Sequence, residues 1–294
     1  MIQKSKGKVL LGMSGGVDSS VSAILLKEMG YEVIGATMKL CPNVQNLSTS
    51  AIEDSKKVCD ELKIEHIVID ATKEFKDKVI DNFIYSYENC MTPNPCVECN
   101  RYLKFGVFFK KALELKCDYV STGHYAKVEY SEEYKQYVMK KSDADKKDQT
   151  YFLYSIPKES LEKMIFPLEN FTDKSDIRKI AEDNNLNVAT KKDSQEICFI
   201  EDNDYVNFLN KNSSKKQTKG NIVLKDGTIL GKHNGLINYT VGQRKGLGVS
   251  YKNPLYVIGL DKEKNEVIVG KEKDLYSKEL KAVDCNFFTR SWFK

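Results

Sequence analysis

KVLLGMSGGVDSSVSAILLKEMG, residues 8–30, decides the fold. KVLLGM (8–13) reads as a buried strand, and VSAILLKEMG (21–30) reads as a helix stopped by Gly30. Between them lies SGGVDSS. A strand that runs straight into a glycine-rich loop and then a helix aims free backbone N–H groups and a helix dipole at one point, which suits an anion. Gly15 and Gly16 let the backbone approach closely, and Ser14, Ser19 and Ser20 add hydroxyl donors. The loop lacks the lysine of a G-x-x-x-x-G-K-[ST] motif, so a motor or kinase that cleaves between β and γ phosphates is not supported.

Working outward, short apolar runs alternate with amphipathic segments through the first half of the chain. YEVIGATMKL (31–40), IEHIVID (64–70) and DYVST (118–122) read as strands. SAIEDSKKVCDELK, residues 72–89 and RYLKFGVFFKKALELK (101–116) read as helices. This pattern predicts a doubly wound α/β domain with a parallel sheet. VEYSEEYKQYVMK, between 125 and 141, reads as a projecting hairpin, and SDIRKIAEDNNL (175–186) as a helix with Ser175 at its N-cap. KNSSKKQTKG (211–220) is polar and aperiodic and is expected to be a linker. After it the chain turns to β, with an Asp-Gly turn in NIVLKDGTIL and a hairpin around KEKN in PLYVIGLDKEKNEVIVG.

A chain of 294 residues suits two domains or more. No apolar run reaches the roughly 18 residues a membrane span needs, and MIQKSKGKVLLGM shows no signal-peptide pattern, so a cytoplasmic location without membrane partners is expected. The net charge of +4 does not by itself demand a nucleic-acid partner. Its distribution does more, with local basic spots at Lys140-Lys141, Lys146-Lys147, Lys191-Lys192, Lys215-Lys216 and Arg244-Lys245. Eight cysteines spread over this length do not form a secreted disulfide scaffold. Cys96 and Cys99, in MTPNPCVECN (91–100), form a C-x-x-C pair, a pattern of metal or thiol chemistry in a reducing compartment.

SGGVDS at the end of a first strand resembles the PP-loop of ATP pyrophosphatases, which cleave between the α and β phosphates and adenylate an oxygen. TPNPCVECNRYLKFG (92–106), STGHYA (121–126), KKDQTYFLYS (146–155), KKDSQEICFI (191–200) and YTVGQRKGLG (239–248) narrow the choice. Together they resemble the tRNA-specific 2-thiouridylase (MnmA) family over nearly the whole chain. The resemblance implies a PP-loop, HUP-like catalytic domain over 1–210, a small β-rich domain over 211–279, and the start of a C-terminal β-barrel over 280–294, where the chain is expected to stop short of its relatives. It implies adenylation of the 2-carbonyl oxygen of a wobble uridine in tRNA, followed by replacement of that oxygen with sulfur from a cysteine desulfurase or relay protein.

By the same resemblance Cys99 takes the nucleophile position and Cys198 that of the persulfide-bearing cysteine. ATP, with magnesium, falls to Gly12, Met13, Ser14, Gly15, Gly16, Val17, Asp18, Ser19, Met38 and Gly123. Asn94, Pro95 and Cys96 fall where the family contacts the target base, and His124, Lys147, Asp148 and Gln149 where it contacts tRNA. Better-known members carry aspartate at the place of Cys96. The cysteine here makes three thiols, Cys96, Cys99 and Cys198, a ligand set for a four-iron four-sulfur cluster with one open iron, as in related tRNA thiolases. Zinc, a redox pair and a Cys99–Cys198 disulfide are the alternatives at the cysteines. The alternatives for the whole chain are a PP-loop ligase on a small molecule with a structural metal, and a catalytically incomplete tRNA-binding module. Cys99, just ahead of the predicted helix, is expected to have its thiolate favoured by the helix dipole.

Overall fold

The computed structural model describes residues 5–40, 45–144, 146–191, 197–200 and 203–287. The chain forms two compact units, one of Met1–Lys78, Cys96–Phe199 and Asn286–Lys294, the other of Val79–Pro95 and Ile200–Cys285.

The first unit is built on five strands, β1 (Lys8–Gly12), β2 (Glu32–Lys39), β3 (Glu65–Asp70), β4 (Tyr119–Ser121) and β7 (Met164–Ile165), in the order β3-β2-β1-β4-β7. Every neighbouring pair is parallel. Val9, Leu10 and Leu11 of the central strand are all fully buried, because both faces of the sheet are covered. Val9 and Leu11 pack with α1 (Val17–Glu28) and α7 (Lys174–Asp183), whereas Leu10 faces Phe108 and Ala112 of α6 (Phe108–Glu114). The period-two alternation of a strand thus assigns one residue set to each layer. Helix α2 (Gln45–Glu61) follows β2, and α3 (Thr72–Phe75) follows β3.

Helix α3 continues through a π-helical stretch, Lys76–Ile80, into α4 (Asp81–Glu88). Similarly α5 (Pro95–Glu98) continues through a π-helical stretch, Cys99–Val107, into α6. Pro95 opens this segment, at the one helical position where a missing N–H costs nothing. A hairpin of β5 (Lys127–Ser131) and β6 (Gln136–Lys140) stands where the sequence places it, with Tyr130 opposite Tyr137.

β2 approaches α2 so closely that a Cβ on Gly35 would lie 2.6 Å from the Cys59 sulfur. Gly35→Ala should therefore lower stability by about 1–3 kcal/mol through overpacking. Urea unfolding will show this as a lower midpoint at unchanged slope, with partial recovery in Gly35→Ala/Cys59→Ala.

The second unit holds a sheet of β8 (Gly220–Leu224), β9 (Ile229–His233), β10 (Tyr256–Asp261) and β11 (Glu266–Gly270) in the order β10-β11-β8-β9. Its core is Ile222, Tyr239, Leu247, Leu255, Val257, Val267 and Val269. Helix α8 (Tyr205–Asn212) belongs here and runs into the stretch expected to be linker, its N-cap Asp204 accepting from Asn207 N at 2.9 Å. Helix α4 belongs here too, Phe83 meeting Phe208 edge to face and Tyr87 stacking on Tyr205. Residues 79–95 thus group with 200–285 in this unit. Beyond β11 the described residues, to 287, contain no further strand. The N-cap of helix α7 lies two residues earlier than expected, because the Asp173 carboxylate, not Ser175, caps it by accepting from Ser175 N at 2.8 Å.

Candidate active site

β2 lies on one side of β1 and β4 on the other, so the order reverses between β1 and β4. In a parallel sheet the crevice beyond the carboxyl ends of two such strands is the place for a ligand. Met13 to Gly16 leave β1 there, and Thr122 to His124 leave β4. The two connections touch. A Cβ on Gly123 would sit 3.0 Å from the Asp18 carbonyl carbon and the Ser19 nitrogen, both backbone. Gly15 has φ +70°, and a Cβ on it would lie 3.1 Å from Ala51 O and 3.0 Å from the Asp54 Cβ.

Within the loop Ser14 N donates to Ser19 Oγ at 3.2 Å, and Ser19 Oγ donates to Gly16 O at 3.0 Å. The N-cap of α1 is Gly16, which brings no side-chain cap, so the helix end presents backbone donors to an anion. Gly12, Met13 and Val17 shape the loop from below, Met13 and Val17 almost fully buried. Half-buried Met38 lies on the neighbouring strand.

Asp18 is fixed from two sides. Lys174 Nζ donates to both carboxylate oxygens at 2.6 Å, and Tyr125 OH donates to Oδ1 at 2.9 Å. Lys191 Nζ bridges Gly15 O at 2.9 Å and Asp54 Oδ2 at 2.7 Å. Sequence reading missed Lys174 and Lys191 as loop-bracing cations. Lys191 carried a signal as a basic spot, whereas Lys174 lies in no motif. Lys192 and the four residues after it lie outside the described residues.

The thiols lie in the same unit. Cys99 is not at a helix N-terminus but inside the continuous Pro95–Glu114 helical segment, where the dipole is spent on internal bonds. Its thiol is pushed up by desolvation, with Cys96 adding to the rise and the Lys104 ammonium opposing it. This corrects the expectation of a dipole-favoured thiolate. Cys198 is exposed as a residue, yet the protein around its thiol pushes it up to about 12, through desolvation and then Cys99 and Cys96, again against Lys104. The three thiols and one ammonium therefore share a single electrostatic neighbourhood.

Lys104 is held by His124, whose Nε2 is 3.3 Å from Nζ, while His124 Nδ1 is 2.7 Å from Thr122 Oγ1. Burial, then Lys104, holds the imidazole well below its ordinary titration range, so it is neutral. An ammonium has only donors, so Nε2 accepts and the ring proton sits on Nδ1 and goes to Thr122. His124 is buried between Phe105 and Phe166.

The remaining expected contacts divide. Gln149 is tied to Tyr125 through its side-chain oxygen at 3.0 Å and its backbone nitrogen at 2.9 Å. Asp148 accepts from Ser142 N at 3.0 Å, and Lys147 Nζ lies 5.8 Å from the Tyr125 ring centroid. Asn94 is half-buried, Pro95 buried and Cys96 exposed. Among the described residues no group of three His, Cys, Asp or Glu side chains is already arranged to hold a metal ion.

Comparison with known proteins accounts for both units. Residues 7–202 match the family model "tRNA methyl transferase HUP domain", and residues 206–271 match "tRNA methyl transferase PRC-barrel domain". The chain is 47% identical over 289 residues to the tRNA-specific 2-thiouridylase MnmA of Clostridioides difficile (strain 630), covering 96% of this chain and 80% of that protein. It is 47% identical over 294 residues to the MnmA of Acetivibrio thermocellus, covering 97% and 82%. Among solved structures it is similar to the U34-tRNA thiolase NcsA from Methanococcus maripaludis with its [4Fe-4S] cluster, at 22% identity and a TM-score of 0.44 over 72% of this chain and 69% of that one. No helix of the described residues is long and apolar enough to cross a membrane. A phosphate-loop sheet joined to a cluster of thiols, a barrel-type second unit and near-half identity along almost the full length agree with one another: the chain belongs to the tRNA-specific 2-thiouridylase (MnmA) family.

Proposed function

We propose that the chain is an ATP-dependent tRNA sulfurtransferase that replaces the 2-oxygen of a wobble uridine with sulfur. One observation carries the reading. Gly123 packs on the phosphate loop, and the next residue, His124, holds the lysine whose charge acts on Cys99 and Cys198. The nucleotide loop and the thiols are thus two ends of one short bonded path.

In the first step the uridine 2-oxygen attacks the α phosphorus of ATP, and pyrophosphate leaves. The loop's backbone donors and the N-terminus of α1 stabilise the charge that gathers on the phosphates. Lys174 and Tyr125 keep the Asp18 carboxylate in place beside them. Because no three-ligand acidic site is present among the described residues, magnesium would be carried mainly by the phosphates of the nucleotide.

Adenylation makes the 2-oxygen a good leaving group. A persulfide on Cys198, loaded by a desulfurase or relay protein, attacks C2 with its terminal sulfur, and AMP departs with the oxygen. The Cys99 thiolate then attacks the Cys198 sulfur. The 2-thiouridine leaves with the transferred sulfur, and a Cys99–Cys198 disulfide remains for an external thiol to reduce. No step passes through Cys96 or a cluster.

Pyrophosphate release that requires a tRNA with a wobble uridine tests the reading. Release with a small molecule and no RNA would support a ligase, and RNA binding without any release a non-catalytic module. Cys96→Ser is expected to retain most thiolation in metal-free protein supplied with a persulfide donor. Parallel loss of iron and activity in this variant would return the cluster to the mechanism. Affinity for tRNA should also fall steeply and linearly in log–log form as salt rises, since Arg244 and the paired lysines contact phosphates; fluorescence anisotropy between low and moderate salt measures the slope.

A further inference from the structure

Residues 149–156 form a turn of successive 3₁₀-type bonds: Phe152 N to Gln149 O and Leu153 N to Thr150 O at 2.9 Å, and Ile156 N to Leu153 O at 3.1 Å. Residues three apart eclipse one another in such a turn. Leu153 and Ile156 accordingly share a buried side, both with no exposed surface, while Tyr151 and Tyr154 share the other, 67% and 54% exposed. The turn is pinned at several points. Asn100, the residue after Cys99, donates its amide to Phe152 O at 2.8 Å, and Asn286 donates to Tyr154 O at 2.9 Å and Ile156 O at 2.8 Å. Gln149 is fastened to Tyr125.

Two large rings are therefore held in water on a rigid turn, bonded to the helix that carries the nucleophilic cysteine. A core has no use for them there. Lys146 and Lys147 precede the turn in sequence, and exposed Arg101 follows Asn100, which is bonded to it, the Arg101 guanidinium lying 5.1 Å from the Tyr102 ring centroid. Exposed rings interleaved with cations fit unpaired nucleotides, which offer stacking faces and phosphates together. A rigid presentation also reduces the ordering cost of binding.

We propose that Tyr151 and Tyr154 form a stacking platform for unpaired anticodon-loop bases, holding the loop while the wobble uridine sits beside Cys99. This rests on the sulfurtransferase reading and adds a binding surface that the chemistry alone does not require. The platform acts in affinity: the aromatic face is needed and the hydroxyl is not.

The test measures the affinity of the full chain for a synthetic anticodon stem-loop RNA, and for a fully paired RNA duplex of equal length, without ATP. Tyr151→Ala and Tyr154→Ala should each weaken stem-loop binding by about tenfold, the range for loss of one base stack. Tyr151→Phe and Tyr154→Phe should stay within about twofold, and duplex binding should not change. ATP binding by each variant reports that the fold is intact. Equal losses in the Phe variants, or unchanged stem-loop affinity in the Ala variants, would overturn the platform. If the Ala variants keep RNA affinity but lose thiolation with a protein persulfide donor, and inorganic sulfide restores it, the rings serve the donor protein instead. Wild-type protein that binds no stem-loop would indict the sulfurtransferase reading itself, an outcome distinct from wild-type binding that the variants leave unchanged.

Discussion

Gly15→Val is expected to abolish uridine-dependent pyrophosphate release, to below about one part in a thousand of wild type, with the protein still folded. At φ +70° a β-branched side chain is strained by roughly 1–3 kcal/mol before any contact is counted. Its Cβ would also start 3.1 Å from Ala51 O and 3.0 Å from the Asp54 Cβ, so either α2 or the loop must move. The loop is the weaker partner, since α2 packs on the sheet through Val58 and Cys59. Turning its backbone donors away from the phosphates removes charge stabilisation that each donor supplies at about 2.7–4 kcal/mol in comparable sites. Gly16→Ala is the matched control. Gly16 has an ordinary φ of −104°, and its Cβ would meet only Ser14 Oγ, at 3.4 Å, so a smaller loss is expected. Equal pyrophosphate release by Gly15→Val and wild type would mean that the nucleotide binds elsewhere.

The second large effect separates the two half-reactions. Cys99→Ser and Cys198→Ser should each retain pyrophosphate release within a few-fold and lose 2-thiouridine formation by more than about a thousandfold, since serine neither carries a persulfide nor displaces one. Cys59→Ser and Cys117→Ser, both buried in the sheet's packing, should affect stability alone. The pH dependence has a definite sign. Both the Cys99 and the Cys198 thiol are raised, Cys198 to about 12, so the thiolate is a minor species at neutral pH and its fraction grows about tenfold per unit. Sulfur transfer in single turnover should rise from pH 7 to 9 without a plateau, and alkylation of Cys99 by iodoacetamide should follow it. Lys104→Met removes the opposing charge and should slow alkylation across that range. A plateau near pH 7 would show that the thiols ionise more easily than their surroundings imply.

The parallel sheet was legible because β1 carries three consecutive buried apolar residues, Val9 to Leu11, and runs into a glycine pair, a combination with few other uses. The hairpin at 127–140 and the second sheet were legible from alternation and from turn residues. Helix α8 was not, because YVNFLNKN is half polar and its apolar face is completed by Phe83 and Tyr87, more than a hundred positions away in sequence. The Asp173 cap was hidden by a rival: DKSD offers two capping residues, and only geometry chooses between them. At the site, glycine and cysteine positions could be read because few residues replace them. The electrostatics could not. Whether Cys99 is helped by a helix dipole or hindered by burial depends on where the helix begins, and Pro95 starts it six residues earlier than the pattern at 101 suggested. Lys104 and Lys174 owe their roles to partners 20 and 156 residues distant, which no local spacing encodes.

The interleaving of the two units bears on how the polypeptide can be cut. The family-model boundary, between 202 and 206, invites expression of the first part by itself. Such a fragment would contain every strand of the five-stranded sheet, yet it would also contain α4 without α8. Phe83, 1% exposed in the whole chain, and Tyr87 would lose Phe208 and Tyr205 as neighbours. The excised piece would carry a sticky aromatic helix in the very segment that leads from Lys78 to Cys96. Anyone seeking a minimal ATP-binding fragment would need to replace residues 79–95 with a short polar bridge, and during synthesis on the ribosome the same helix must wait for residue 208 to emerge before it can be covered.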